Sequence, residues 1–309
     1  MYPNGVREGM KIGILSMRGR GYHPNRRLFE ASAALGHHAF LVDPTRCIPE
    51  IRGGSCGLRC GGKVLRPDVL LPRLGATIKD FSVTLIRHAE ESGIRVINGH
   101  RAILLARNKF LTLQRLGAEG LPVPDTCLVT NRKNLALAVS RLGGYPVVVK
   151  TVDSRQGMGV ALLDSPLTGG FIIHTFEEKR RGLLVQRYIP PEGRADIRAF
   201  VLGGRVAAAV QVSARRGEFR ANVHLGGRSR KITLPESLER LAVSAARALG
   251  LEIAGVDLIV DPLGRPWILE VNYSPGFRGL EASTGLDIAS HIIRHATQER
   301  KGVPWKSPS

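Results

Sequence analysis

The stretch from Val256 to Gly276, VDLIVDPLGRPWILEVNYSPG, leaves the backbone little choice. Val256–Val260 and Trp267–Val271 are apolar and rich in β-branched residues, and Asp261, Pro262 and Gly264 between them supply turn chemistry. The pattern predicts two strands joined by a short turn. Three oxygen-bearing side chains interrupt the apolar runs: Asp257, Glu270 and Asn272. Glu270 and Asn272 are two apart, so they share a face of one strand. A turn symmetric about Leu263–Gly264 sets Asp257 opposite Glu270, and an odd-numbered loop shifts that pairing by one. Two carboxylates facing each other across a ladder repel. A cation between them removes the repulsion, and an Asp/Glu/Asn oxygen set suits a hard ion such as magnesium. The alternative, from the hairpin alone, is a half-exposed ribbon with a wet polar face.

The preceding chain supplies a frame for this hairpin. Residues 10–100 alternate short apolar strands (Lys11–Ser16, Ala39–Val42, Val69–Leu71, Val96-Ile97) with helices over Asn25–Leu35 and Phe81–Ser92, which implies a small parallel α/β layer. A basic, Gly- and Cys-containing loop is expected from Arg46 to Arg66. No GxGxxG opens the first helix, so this half carries no dinucleotide fingerprint. One helix is expected over Arg101–Ala118, followed by a linker at Pro122 and Pro124. Asn131–Leu142 reads as helix. Val147-Val148-Val149 then ends on Lys150, and an apolar strand terminating in lysine presents an ammonium to phosphate. The loop after it includes Gln156-Gly157-Met158-Gly159, whose glycines let backbone N–H groups approach a phosphate; a plain hairpin turn is the alternative. Asp196 and Arg198 share one face of a strand that pairs with Arg205–Val212 through Gly203-Gly204. Arg220, Asn222 and His224 recur every two residues on another extended face. Helices are expected over Pro235–Leu249 and Gly285–Ala296, with a polar tail beyond.

Charge narrows the partners. The 309 residues hold 45 Lys or Arg against 26 Asp or Glu, a formal net charge of +19, which favours nucleotides, acidic peptides, RNA or ribosomes. Aromatic residues are only 5%, so stacking platforms for single-stranded nucleic acid are not evident. No apolar run approaches the roughly 20 residues of a membrane span, and the first residues lack a signal-peptide core; a cytoplasmic protein is expected. The four cysteines, Cys47, Cys56, Cys60 and Cys127, are too few for a disulfide scaffold. Reduced, non-catalytic thiols are expected, with a redox-sensitive pair or a metal role as alternatives.

Taken together, VVVK (147–150), QGMGV (156–160), LLVQRYI (183–189), DIRAFV (196–201), FRANVHLGG (219–227), AGVDLIV (254–260), LEVNYSPGF (269–277) and TGLDIA (284–289) resemble the ATP-grasp superfamily, and within it the RimK-type carboxylate–amine ligases. MKIGILS (10–16), LPRLGATI (71–78) and RNKFLTLQ (107–114) extend the resemblance over nearly the whole chain. It implies an α/β fold of the ATP-grasp type: a Rossmann-like pre-ATP-grasp domain over residues 10–100, an ATP-grasp domain over 101–297 with ATP between its two subdomains, and a tail over 298–309. It also implies roles. Lys109 and Lys150 would contact ATP phosphates, and Gln156, Gly157 and Gly159 belong to the lid. Arg187 and Tyr188 would stand at the adenine hinge, and Asp196 would contact nucleotide. Arg198 and Arg220, supported by Asn222, would bind the transferred phosphate. Asp257, Glu270 and Asn272 would hold two magnesium or manganese ions. Ser274 and Gly276 would form the edge where substrate meets an acyl phosphate. The family usually has an acidic residue where Arg187 stands, and the Cys56–Gly62 region departs from its pattern.

The activity implied is addition of an amino acid, glutamate, to the C-terminal carboxylate of an acidic protein or peptide, through an acyl phosphate. Ribosome association and a homo-oligomer are compatible with it. The alternatives are a small-molecule acceptor, and a basic RNA- or ribosome-binding protein with a vestigial ATP site.

Overall fold

A computed structural model describes residues 9–152, 159–169, 182–213 and 228–298. The N-terminal layer contains β1 (Lys11–Leu15), α1 (His23–Ala34), β2 (His38–Val42), β3 (Cys47–Arg52), β4 (Ser55–Cys60), β5 (Lys63–Val64), β6 (Val69–Pro72), α2 (Asp80–Glu91) and β7 (Arg95–Val96). Its main sheet is parallel in the order β2-β1-β6-β7. Both faces are covered, as such sheets require. Ile12, Ile14, Val69 and Leu71 point to one core with Leu28 of α1, and Leu15 and Leu70 to another with Leu85 and Ile86 of α2.

The expected loop at 46–66 is instead a three-stranded antiparallel meander, β3-β4-β5. Its turns are Gly53-Gly54 and Gly61-Gly62, all with positive φ, as two-residue hairpin turns demand. Cys47 lies opposite Cys60 and both thiols donate to the Asp43 carbonyl, whereas Cys56 lies opposite Ile51.

The expected single helix over 101–118 is two: α3 (His100–Arg107) and α4 (Lys109–Ala118). Asn108 separates them with extended backbone and caps α4, its side chain accepting from the Phe110 and Leu111 N–H groups. The break places Lys109 at the start of a helix rather than inside one.

A second unit follows: β8 (Thr126–Val129), α5 (Arg132–Arg141), β9 (Val147–Thr151), β10 (Val160–Leu163) and β11 (Leu183–Arg187), an antiparallel sheet in the order β10-β9-β11-β8. Strand β8 was not expected. This unit has its own small core of Val129, Leu135, Val147, Val149, Leu183 and Val185, among others. The period of two then turns Val148, Lys150, Leu184 and Gln186 to the opposite face.

The third unit is β12 (Ala195–Leu202), β13 (Arg205–Ser213), β14 (Arg228–Lys231), α6 (Glu236–Ala248), β15 (Ile253–Val260), β16 (Pro266–Asn272), α7 (Arg278–Thr284) and α8 (Ile288–Thr297). Its antiparallel sheet runs β14-β13-β12-β15-β16. The expected helix over 285–296 is present as α8, capped by Asp287, whereas α7, ended by Gly285 in the left-handed region with φ 70°, was not expected. Both large cores mix residues of the N-terminal layer with residues of this sheet. Asn98 fastens them. Its buried amide donates to the Ile253 and Tyr273 carbonyls (2.7 and 2.8 Å) and accepts from the Glu252 and Ile253 N–H groups (2.8 and 2.9 Å).

Candidate active site

The hairpin expected at 256–276 is present, with a different turn. Val260 pairs with Pro266, so a five-residue loop from Asp261 to Arg265 joins β15 and β16. That odd loop alone would move Asp257 out of register with Glu270. A bulge restores it: Leu258 pairs with Ile268, Asp257 with Glu270, and Leu269 is the extra residue. Ile268 and Val271 consequently enter the core, while Leu269, Glu270 and Asn272 line a cavity. Asp261 organises the loop, accepting from the Leu263 and Arg265 N–H groups and from the Trp267 indole.

The cavity, of about 1180 Å³, lies where the three units meet. On its floor Arg198 of β12 stands opposite Asp257 of β15 and donates from Nε and a terminal nitrogen to the two carboxylate oxygens, each at 2.7 Å. Asp257 holds the Arg198 guanidinium above its usual range against the effect of burial. Lys109 Nζ is 2.8 Å from Glu270. Burial pushes the Glu270 carboxyl up, but Lys109, Lys150 and Arg198 outweigh it, and the group lies below the ordinary carboxylate range.

Lys150 projects from the second unit into the same space. Its Nζ donates to Gln186 Oε1 at 2.7 Å, and Gln186 Nε2 donates to Thr126 at 2.9 Å. Burial, with Lys109 nearby, lowers the ammonium to about 8, against the pull of Glu270 and Asp257. Gln186 therefore orients the lysine, a role not foreseen; its signal was a polar residue two positions after Leu184 in an otherwise apolar strand.

Asp196 shares the cavity face with Arg198, as the alternation indicates, and is paired with Arg194 at 2.9 Å. Burial raises its carboxyl, and Arg194 opposes that rise. Tyr188 lines the cavity next to it. Arg187 lies at the rim, 3.1 Å from Asp125, with its guanidinium 5.0 Å from the centre of the Trp267 ring. The departure from the family's usual acidic residue thus has partners of its own outside the phosphate end. Gly159, with φ 74°, opens β10. Ser274 and Gly276 line the far end of the cavity, where the Tyr273 hydroxyl donates to the Gly75 carbonyl at 2.9 Å. Gln156, Gly157, Arg220, Asn222 and His224 lie outside the described residues.

The donor set fits a hard divalent ion: two carboxylates in register and an amide on one face. Among the described residues no three His, Cys, Asp or Glu side chains cluster as a metal site. Arg198 and Lys109 hold the carboxylates, and each carboxylate oxygen keeps a second lone pair.

With this geometry in view, the likenesses to known proteins agree. Residues 106–296 match the family model of the RimK-like ATP-grasp domain, and residues 10–103 that of the RimK PreATP-grasp domain. A protein of Marinomonas sp. (strain MWYL1) named "Probable alpha-L-glutamate ligase" is 40% identical over 93% of this chain and 95% of its own. One of the same name from Legionella pneumophila (strain Corby) is 38% identical over 95% and 97%. Among solved structures, a RimK domain ATP-grasp protein from Sphaerobacter thermophilus superposes with a TM-score of 0.71 at 25% identity, covering 93% of this chain and 99% of that one. The macrocyclase MdnC of Microcystis aeruginosa, bound with its precursor peptide MdnA, shares the fold at a TM-score of 0.69 and 17% identity, over 93% and 99%.

The fold is ATP-grasp, preceded by a pre-ATP-grasp domain. The chain belongs to the RimK-like ATP-grasp family and is an ATP-dependent carboxylate–amine ligase. Among the described residues no helix is long and apolar enough to cross a membrane.

Proposed function

We propose that the protein adds glutamate to a carboxylate of an acidic protein or peptide, with ATP converting that carboxylate to an acyl phosphate. The observation that carries this reading is the continuity of one cavity from Lys150 to Ser274, with Asp257, Glu270 and Asn272 between them. The names of the similar ligases support glutamate. The cationic lining suits an acidic acceptor. We place the division of labour at residues 10–100 for the pre-ATP-grasp domain and 101–297 for the ATP-grasp domain, with 298–309 as a tail.

Chemistry assigns the roles. A carboxylate resists attack by an amine because oxide is a poor leaving group. Phosphorylation makes phosphate the leaving group instead. Lys150 and Lys109 bind ATP phosphates, Lys150 being aimed by Gln186. As ATP arrives, Lys109 is free to turn from Glu270 towards phosphate, and Arg198 from Asp257. Arg198 and Arg220 then stabilise the transferring phosphoryl group, with Asn222 in support. Asp257, Glu270 and Asn272 would hold the divalent cations, two magnesium or manganese ions, which would neutralise charge on the phosphates. Tyr188 and the backbone at Arg187 accommodate adenine, and Asp196 contacts the nucleotide. Gln156, Gly157 and Gly159 close over the phosphates and keep water from the acyl phosphate. Ser274 and Gly276 border the position from which the amine attacks.

The test is a screen of amino acids for ADP formation with magnesium and acidic-tailed peptides, read by mass spectrometry. A peptide heavier by one or more glutamate residues, with stoichiometric ADP, is the expected result. Product only on small carboxylic acids would move the acceptor to a small molecule. No ADP with any pair would overturn the reading.

A further inference from the structure

The cavity is lined by nine Lys or Arg and four Asp or Glu among the described residues. Each of the four carboxylates already has a cation. Asp196 is held by Arg194, Asp257 by Arg198 and Glu270 by Lys109. Glu281 is held by Arg27 at 3.3 Å, with His23 at 3.7 Å. Arg73 differs. It is 8% exposed, and one terminal nitrogen donates to the Pro275 carbonyl at 2.6 Å. Its Nε is buried without a hydrogen-bond partner, and no carboxylate pairs with it among the described residues. Burial lowers the guanidinium to about 10. A buried donor left unpaired is costly, the more so when it is charged.

Its position says what would complete it. Arg73 follows β6, all four of whose residues are buried, and its N–H donates to the Leu15 carbonyl at 2.8 Å. It therefore stands at the carboxyl ends of β1 and β6, where open α/β sheets bind ligands. Tyr22, His23 and Pro24, at the start of α1, line the same cavity. That 12-residue helix has no acidic residue of its own in the first turn and no side-chain cap, and the nearby Glu281 carboxylate is taken up by Arg27 and His23. The buried Phe277 ring, 5.7 Å from the guanidinium, walls the site on one side, and Ser274 and Gly276 border it on another.

We propose that Arg73 reads a substrate carboxylate: its guanidinium, with the first turn of α1, binds a carboxylate that is not phosphorylated, beside the Ser274–Gly276 edge. This rests on the ligase reading. The carboxylate belongs either to the incoming amino acid or to the acidic acceptor next to its reacting group; the chemistry is the same and kinetics separate the two. A phosphate seat is disfavoured because the Lys150 end of the cavity serves that charge.

The experiment compares Arg73→Lys and Arg73→Gln with wild type, varying glutamate, acidic-tailed peptide and ATP in turn. Loss of a charge-assisted contact should raise one carboxylate substrate's KM by about 10–100-fold, with the KM for ATP unchanged. A rise for glutamate alone assigns the amino acid, and a rise for peptide alone assigns the acceptor. Unchanged KM values for both, or a change confined to ATP, overturns the proposal. The wild-type protein gives a readout that does not need a folded Gln variant. Glutarate or the peptide should shift the arginine Nε–H resonance that is missing from the Arg73→Lys spectrum. A resonance unmoved by both overturns the assignment. A wild type that binds glutarate at Arg73 yet forms no amide would sink the ligase reading and leave the carboxylate site standing.

Discussion

On the floor of the cleft Asp257 carries Arg198 and Glu270 carries Lys109, whereas at the edge of the N-terminal layer Arg73 is buried with no carboxylate partner among the described residues. The floor is charge-compensated by its own side chains. On the proposed function, ligand binding there would be an exchange, with cations coming to the carboxylates as arginine and lysine turn to phosphate. The edge is uncompensated, and a ligand there adds a missing charge. Lys150 belongs in character with the edge, since its hydrogen-bond partner is the neutral Gln186. The difference teaches that a carboxylate already paired with a cation and a buried cation without a carboxylate ask different things of a ligand: the first has to exchange partners, the second has a partner to gain.

The floor breaks most completely at Glu270. Glu270→Ala should lower ADP formation by at least about 10²-fold with the fold retained by circular dichroism. It should also push the Lys150 ammonium below 8, since Glu270 is one of the groups holding it up. Full activity in this variant would remove the metal assignment.

Lys150 sharpens the contrast, because its charge is a burden without phosphate. Lys150→Met should weaken ATP binding by about 10–100-fold and raise the melting temperature of the ligand-free protein at pH 7. In wild type the folded pKa, about 8, lies below the ordinary 10.5. The unfolded chain holds more protons between those values, so the lysine's contribution to stability rises with pH there. Activity goes the other way. The kcat/KM for ATP should fall as pH passes above about 8, because the free enzyme loses the ammonium.

Asn98 tests whether the two regions must be held together. Asn98→Ala removes four hydrogen bonds and leaves backbone groups of Glu252, Ile253 and Tyr273 unsatisfied, for a cost of about 2–4 kcal/mol in denaturant unfolding. Because Tyr273 precedes Ser274, substrate KM should rise before the KM for ATP does.

Arg187 is the smallest test and lies in neither region. It is half-exposed, paired with Asp125 and set over Trp267, so Arg187→Ala should cost less than about 1 kcal/mol and leave ATP affinity unchanged. A large loss of ATP binding would give this side chain a part in the adenine site.

Much of this was legible in residue pattern. The period of two put Asp196 with Arg198 and Glu270 with Asn272, and both pairs line the cavity. The facing of Asp257 and Glu270 was right for an incomplete reason: a five-residue loop and the bulge at Leu269 cancel, and neither shows in hydrophobicity alone. The meander at 47–64 hid in plain sight. Gly53-Gly54 and Gly61-Gly62 carry the same turn signal as Gly203-Gly204, but their flanking strands are polar and exposed, with Ile48 and Ile51 facing outward. The break at Asn108 was local capping chemistry inside a pattern that reads as continuous helix, and the seven-residue helix before Gly285 is too short to show a period. Arg73 could not be singled out, because an arginine after an apolar strand looks like any exposed strand end until its burial is known.

The central claim is that ATP activates a carboxylate before the amine arrives. Incubate the protein with magnesium, ATP, glutamate and a peptide whose terminal carboxylates carry ¹⁸O, then analyse the phosphate released with ADP. The account predicts one peptide-derived ¹⁸O in the phosphate released as the first glutamate joins each labelled carboxylate. A first addition that releases unlabelled phosphate would contradict it.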